Sequence, residues 1–162
     1  MFDYRRDEWL PGWADADGDC QDTRHEVLIA EADGPLTFSA GGCTVTFGLW
    51  NDPYTGATFT NPSDLDIDHM VPLANAYGSG GWQWTTARKR EYANDLANPQ
   101  TLIAVDDGAN SSKGARSPDQ WLPPNAGYRC TYAIEWVSVK STWSLTVTTS
   151  ERGALVFILN SC

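Results

Sequence analysis

The stretch that decides the fold reads Leu65-Asp66-Ile67-Asp68-His69-Met70-Val71-Pro72. Apolar residues alternate with acidic ones up to the histidine, which predicts a half-buried β-strand over 65–71 that Pro72 ends. His69 is one of only two histidines in the chain, and a carboxylate stands directly before it. The strand therefore carries a titratable base next to an oxygen ligand for a metal ion.

A second polar pair, Asn110 and Lys113, lies behind the apolar run 101–105. The run predicts a short buried strand, and Asp106 or Asp107 is a suitable N-cap for a helix that follows it. Asn110 and Lys113 are three residues apart, so they share one face of that helix. The order strand, strand, helix predicts a β–β–α unit within an α+β domain.

The rest of the chain predicts further elements around this unit. Predicted helices cover 23–32, 85–97, 128–143 and 150–159, predicted strands cover 43–50 and 57–60, and residues 1–22 are predicted to be irregular. No internal repeat or long linker divides the sequence, and its length suits one sizeable core. We therefore expect a single domain over 1–162, with its core at about 44–117 and helices at about 128–160.

Four cysteines point to an oxidising compartment, and hence to a secreted protein. Their spacings are long, which argues against a thiolate zinc site. An even count allows three pairings, of which we favour Cys20–Cys43 and Cys130–Cys162 because each bond would tie down one end of the chain. The alternative is four reduced, buried cysteines.

An acidic segment near the beginning of the chain has the spacing of a calcium-binding loop. Asp15, Asp17 and Asp19 alternate, and Glu26 falls at the twelfth position counted from Asp15. The sixth position is Cys20, where such loops carry glycine. We therefore favour a solvated acidic loop over a calcium site.

The side chains of the β–β–α unit suit phosphodiester hydrolysis. A neutral His69 can deprotonate water near pH 7, and Asp68 and Asn110 offer oxygens to one divalent cation, with Mg²⁺ or Mn²⁺ expected. Asp66 lies on the same strand face as Asp68 and could support the ligands. Asp68 and His69 can share a site only if the strand end curls, because neighbours on a strand point to opposite faces.

Each of these residues also has a purely structural interpretation. His69 could pack in the core, Asn110 could lie on a helix surface, and Lys113 could be a solvated charge. Their combined order and spacing favour the catalytic interpretation.

Five spaced motifs carry a family resemblance. They are Asp66-x-Asp68-His69-Met70-Val71-Pro72, Tyr92-Ala93-Asn94-Asp95, Thr101–Val105, Asn110-x-x-Lys113-Gly114 and Trp121-Leu122-Pro123-Pro124. This pattern resembles the HNH, or His-Me finger, endonucleases, above all secreted bacterial and fungal proteins of that type, over roughly residues 20–162. The resemblance implies a ββα-metal core with additional helices, and an endonuclease. Because the sequence shows no separate recognition domain, we expect cleavage with low sequence specificity. DNA is the expected substrate, with RNA as a second candidate.

The resemblance also implies roles for individual residues. His69 matches the general base, and Asp68 and Asn110 match the metal ligands. Lys113 matches a basic residue near the scissile phosphate. Arg88 is a weaker match to a phosphate-binding arginine of some relatives of this fold.

One position departs from the family pattern. The middle asparagine of the HNH motif, which steadies the histidine loop, falls at Thr101 in this register. A threonine hydroxyl cannot make both hydrogen bonds of an amide. Asn94 and Asn98 are the alternatives for that role.

The charge balance and the aromatic content favour a competing class of function. The formal net charge is −10, whereas nucleic-acid binders usually show a basic footprint. With eight tryptophans, a secreted carbohydrate-binding or adhesion module is the alternative, with Trp82 and Trp84 as an exposed platform. No run approaches the ~18 apolar residues that a membrane span needs, so we expect no membrane association, and the sequence does not identify a protein partner.

Overall fold

The computed structural model describes residues 3–162, which form a mixed α/β structure with small sheets. Within these residues the helices are α1 (Arg6–Trp9), α2 (Thr23–Ala30), α3 (Leu73–Gly78), α4 (Thr86–Ala93), α5 (Asp107–Lys113), α6 (Arg129–Thr142) and α7 (Thr149–Asn160). The strands are β1 (Thr37–Phe38), β2 (Val45–Phe47), β3 (Trp50–Asn51), β4 (Thr58–Phe59), β5 (Leu65–His69) and β6 (Leu102–Asp106). They form three antiparallel pairs, β1 with β2, β3 with β4, and β5 with β6.

The β5–β6 pair is the longest of the three and is covered on both faces. In its register His69 lies opposite Leu102. One face joins a core cluster with Val27 and Leu28 of α2, and its members are Leu65, Ile67, Leu102 and Ala104. The other face places Ile103 and Val105 in the larger core, which holds the buried aromatic rings. Burial on both faces explains why apolar residues fill nearly every position of β6.

Helix α5 follows β6 without a loop. The carboxylate of Asp106 accepts a hydrogen bond from the backbone N of Ala109 at 2.6 Å, which caps the first turn. The helix ends where Gly114 adopts a positive φ of 54°. The chain order of strand, strand and helix is therefore the one that the sequence predicted.

Several predicted bounds differ from the structure. The predicted strand 43–50 divides into β2 and β3, because Gly48 lets the ring of Trp50 approach within 2.4 Å of where a Cβ would stand. Helix α3, which begins directly after Pro72, was not predicted. The lead-in 1–22 was predicted to be irregular, but Trp9 is completely buried and makes α1 part of the core.

Both predicted disulfides are present, Cys20–Cys43 and Cys130–Cys162. The second one joins α6 to the end of the chain beyond α7. In the acidic loop, the carboxylates of Asp15, Asp17 and Asp19 converge to within 4.8 Å of one another and are exposed to solvent. No helix among residues 3–162 is long and apolar enough to cross a membrane.

Candidate active site

A pocket of about 340 Å³ opens where β5 ends. Its polar walls come from three parts of the chain, and they include Tyr4, Arg6, Asp68, His69, Asn110 and Ser111. The strand end thus brings Asp68 and His69 into one pocket, as their proposed chemistry requires. Three of the predicted site residues, from β5 and α5, meet here.

His69 is buried, with 5% of its surface exposed. Its Nε2 lies 2.9 Å from the carbonyl oxygen of Ala93, and because a carbonyl can only accept, Nε2 carries the proton. Nδ1 is then the basic nitrogen, and it has no hydrogen-bond partner among residues 3–162. Burial, aided by the nearby charges of Arg6 and Lys113, lowers the pKa of His69 from 6.5 to about 4, although the hydrogen bond to Ala93 raises it. The imidazole is therefore neutral near pH 7.

Two aromatic rings orient the histidine. The ring of Trp13 is nearly parallel to that of His69, at 13° and a centroid distance of 5.8 Å. The ring of Tyr92 lies at 24° and 6.1 Å. Such packing restricts rotation of the imidazole about χ2.

Asp68 is held from one side only. Its Oδ2 accepts hydrogen bonds from the Tyr54 hydroxyl at 2.6 Å and from the Lys113 ammonium. Its Oδ1 has no hydrogen-bond partner within residues 3–162. Asp68 is 6% exposed and lines the pocket, so this second oxygen is available to a ligand there.

Lys113 occupies a different position from the one expected of a phosphate-binding residue. It has no exposed surface, and besides Asp68 its ammonium donates to the carbonyl oxygens of His69 at 2.9 Å and Met70 at 3.0 Å. Burial lowers the pKa of Lys113, while the charge of Asp68 raises it. An ammonium with three oxygen partners and no exposed surface braces the turn after β5 and leaves no surface for a phosphate.

Asp66 and Asn110 bond to each other. The Asn110 amide donates to Asp66 Oδ2 at 2.8 Å. This bond orients the side-chain amide of Asn110. Its Oδ1, which has no hydrogen-bond partner within residues 3–162, remains free to accept. Asp66 thus orients Asn110, as the supporting role predicted for it requires.

Thr101 holds the histidine loop through its backbone. Its carbonyl oxygen accepts from the backbone N of Met70 at 2.9 Å, while its hydroxyl donates to Asp95 at 2.8 Å. Asn94, an alternative for the middle asparagine, accepts from Ala14 N at 3.0 Å and so fastens the N-terminal segment. The group that reaches the imidazole is the Ala93 carbonyl, the residue just before Asn94.

Arg88 lies away from the pocket. Its guanidinium carbon is 5.1 Å from the Trp84 ring and 5.2 Å from the Trp143 ring, and this stacking explains its place on the surface of α4. The basic residue that does line the pocket is Arg6. The sequence offered no reason to prefer it, because α1 was not predicted.

Other residues of the site were also absent from the prediction. Tyr54 stands in a turn sequence, and nothing local indicates that its hydroxyl bonds Asp68. Ala93 acts through its backbone, which no side-chain pattern can reveal. Trp13 reaches His69 only because the N-terminal segment folds back onto α4.

Comparison with known proteins assigns the chain to a family whose chemistry this site suits. Residues 38–157 match the family model described as GmrSD restriction endonucleases, C-terminal domain. The match spans most of the chain, so the protein belongs to this family of nucleases, in agreement with the predicted relationship to HNH endonucleases. No solved structure matches the chain.

A fungal relative extends the likeness to almost the whole chain. An uncharacterized secreted protein of Arthroderma benhamiae (strain ATCC MYA-4681 / CBS 112371) is 48% identical over 159 residues, which are 98% of this chain and 76% of the relative. The description of that relative and the two disulfides agree with the predicted extracellular localisation.

Proposed function

We propose that this protein is a metal-dependent endonuclease of the HNH type that hydrolyses phosphodiester bonds of DNA with low sequence specificity. RNA is the second substrate that the same chemistry admits. Residues 1–162 act as one domain whose β5–β6–α5 unit is a ββα-metal core. The observation that carries the proposal is a neutral imidazole in the same pocket as two uncommitted oxygens, those of Asp68 and Asn110.

The residues of the pocket fit a hard divalent cation. Asp68 offers a carboxylate oxygen and Asn110 an amide oxygen, and neither is used by another residue among 3–162. Such oxygens, completed by water, are the ligands that Mg²⁺ and Mn²⁺ prefer. A cation bound there would neutralise charge on the phosphate and on the leaving oxygen.

The chain itself supplies the base and its support. His69 takes a proton from water at Nδ1 while the water oxygen attacks phosphorus and the bond to the leaving oxygen breaks. The Ala93 carbonyl keeps the proton on Nε2, and it stabilises the imidazolium that forms. Lys113 and Tyr54 position Asp68, so Lys113 acts here on the ligand and not on the substrate.

The carbohydrate-binding alternative has little support. Trp84 packs against the rings of Trp9 and Trp143 at 5.5 Å each, so it forms no platform with Trp82. Of the tryptophans in residues 3–162, Trp82 alone is strongly exposed, at 59%. A single exposed ring is ordinary for a surface loop.

Cleavage of supercoiled plasmid tests the proposal. Wild-type protein with Mg²⁺ or Mn²⁺ should nick the plasmid, and EDTA should abolish the activity. His69→Ala should lower turnover by roughly 10²–10⁴-fold, the usual effect of losing a general base, while Mn²⁺ binding measured by calorimetry persists. His25→Ala is the matched control and should keep its turnover. Activity that survives full chelation, or a His69→Ala protein with normal turnover, contradicts the mechanism.

A further inference from the structure

The N-terminal segment, residues 4–13, forms one wall of the pocket although it precedes the family-matched residues 38–157. Tyr4 and Arg6 line the cavity, and Trp13 stacks on His69. The family match therefore accounts for the base and the metal ligands but not for this wall.

Arg6 is anchored to the body of the protein by its own helix. Trp9 is completely buried, and a Cβ at Gly81 would stand 2.8 Å from its ring, so the fit leaves no room for a shift. Glu8 forms a 2.7 Å salt bridge with the buried Lys89 of α4. These contacts fix the backbone of α1. They therefore also fix the position at the rim of the pocket from which the Arg6 side chain extends.

An anionic substrate needs a basic side chain at this pocket, because the surroundings are acidic. The chain has a net charge of −10, and Asp68 places a carboxylate in the pocket itself. Lys113 is fully buried, and Arg88 lies over the Trp84 and Trp143 rings and does not line the pocket. Among the pocket-lining residues in the described part of the chain, Arg6 is the one exposed basic side chain.

We infer that Arg6 binds the substrate phosphate, its guanidinium donating to non-bridging oxygens of the phosphodiester that lies in the pocket. The inference rests on the proposed function and reassigns to the N-terminal segment the role that the sequence suggested for Arg88 and Lys113. A guanidinium presents its N–H groups as a rigid fork that matches two phosphate oxygens at once. Its fixed charge also attracts an anionic substrate toward an otherwise acidic protein.

Binding of a short fluorescent DNA duplex, followed by anisotropy in EDTA on the His69→Ala background, tests this role without turnover. Arg6→Ala should raise the Kd by about 10–100-fold, the effect of losing a charge-assisted hydrogen bond. It should also reduce the slope of log Kd against log salt by about one, as expected for one lost phosphate contact. Arg5→Ala, which removes the neighbouring exposed charge outside the pocket, is the matched control and should stay close to the parent in both measurements.

Arg6→Lys separates a phosphate contact from a structural role. It keeps the charge but loses the fork, so the salt slope should return to that of the parent while the Kd recovers only in part. In the cleavage-competent protein with Mn²⁺, Arg6→Ala should raise KM more than it lowers kcat. Circular dichroism melting should show that all three variants are folded.

The outcomes distinguish this inference from the proposed function. If wild type cleaves DNA but Arg6→Ala and Arg5→Ala bind and cleave alike, Arg6 does not contact phosphate and the endonuclease proposal stands. If wild type cleaves nothing with any metal, while DNA binding still depends on Arg6, the phosphate site stands and the endonuclease proposal falls. A parent that binds no DNA overturns the inference about Arg6.

Discussion

Two buried lysine–carboxylate pairs lie in different parts of this molecule, and they are built alike. Lys113 meets Asp68 in the pocket, with 0% and 7% of the two side chains exposed. Lys140 meets Glu151 between α6 and α7, with 3% and 2% exposed. Each ammonium has three oxygen partners, and those of Lys140 include Ser79 Oγ at 2.8 Å.

The two carboxylates differ in how completely they are satisfied. Glu151 uses both oxygens, one for Lys140 and Trp136 Nε1 and the other for the backbone N of Thr148. Asp68 uses only Oδ2. Buried polar atoms are normally paired, so a pair completed on every side indicates a structural role. A carboxylate with an unpaired oxygen facing a pocket indicates a site for a ligand.

The largest expected effects come from removing either lysine. Lys113→Met and Lys140→Met should each lower the free energy of unfolding by about 3–5 kcal/mol, because each leaves a buried carboxylate without its cation. Urea denaturation measures the loss. Adding Glu151→Gln to Lys140→Met should recover stability together with cleavage. Adding Asp68→Asn to Lys113→Met should recover stability but not cleavage. Equal recovery of cleavage in both double variants would remove the distinction between the pairs.

The disulfide Cys130–Cys162, which joins α6 to the end of the chain beyond α7, has the next largest expected effect. Replacing both Cys130 and Cys162 by serine should destabilise the protein by roughly 3–4 kcal/mol on the chain-entropy account, which lowers the melting temperature by about 10 °C in a domain of this size. Cleavage at low temperature should persist, since the pocket takes no residue from α6 or α7. Calorimetry and a plasmid assay at two temperatures check this. Loss of activity in the folded variant would show that the packing of α6 and α7 shapes the site.

A smaller effect should distinguish the orientation of a metal ligand from the stability of the fold. Asp66→Ala frees the Asn110 amide and should weaken metal binding by about 10–100-fold, the usual result of removing a group that orients a ligand. Mn²⁺ titration calorimetry measures it, and cleavage should recover at higher metal concentration. Asp64→Ala, a neighbouring exposed carboxylate, is the control. A deficit in Asp66→Ala that no metal concentration relieves would count against Asn110 as a ligand.

The last effect concerns a carboxylate with no lysine. Glu31 accepts from the backbone N of Ala104 at 2.7 Å, and burial raises its pKa from 4.5 to about 7. The folded state therefore binds a proton more tightly than the unfolded state, so this stability is complete below pH 4.5 and is lost as the pH rises through 7. Relative to Glu31→Gln, which keeps an acceptor without the charge, wild type should lose unfolding free energy between pH 5 and pH 8. Parallel curves from urea denaturation would contradict the raised pKa.

Much of the fold could be predicted because its signals are local. The alternation over 65–71, the apolar run 101–105 and the cap at Asp106 each act within a few residues, and they produce β5, β6 and α5. The same holds for α6, whose apolar residues recur at helical spacing. The division of 43–50 could not be predicted, because it depends on how the side chains of Trp50 and Leu36 pack against Gly48.

The residues of the candidate site likewise divide into those with a local signal and those that depend on packing. The sequence alone indicated Asp68, His69 and Asn110, since a base and oxygen ligands are recognisable from residue type and spacing, and it favoured the two cysteine pairings that the structure contains. Only the tertiary structure decided that Lys113 turns inward to Asp68, that the Ala93 carbonyl fixes the imidazole, and that Arg6, not Arg88, reaches the pocket. These depend on how separate segments pack together, and the burial and hydrogen-bond partners that packing creates leave no pattern in the order of residues along the chain.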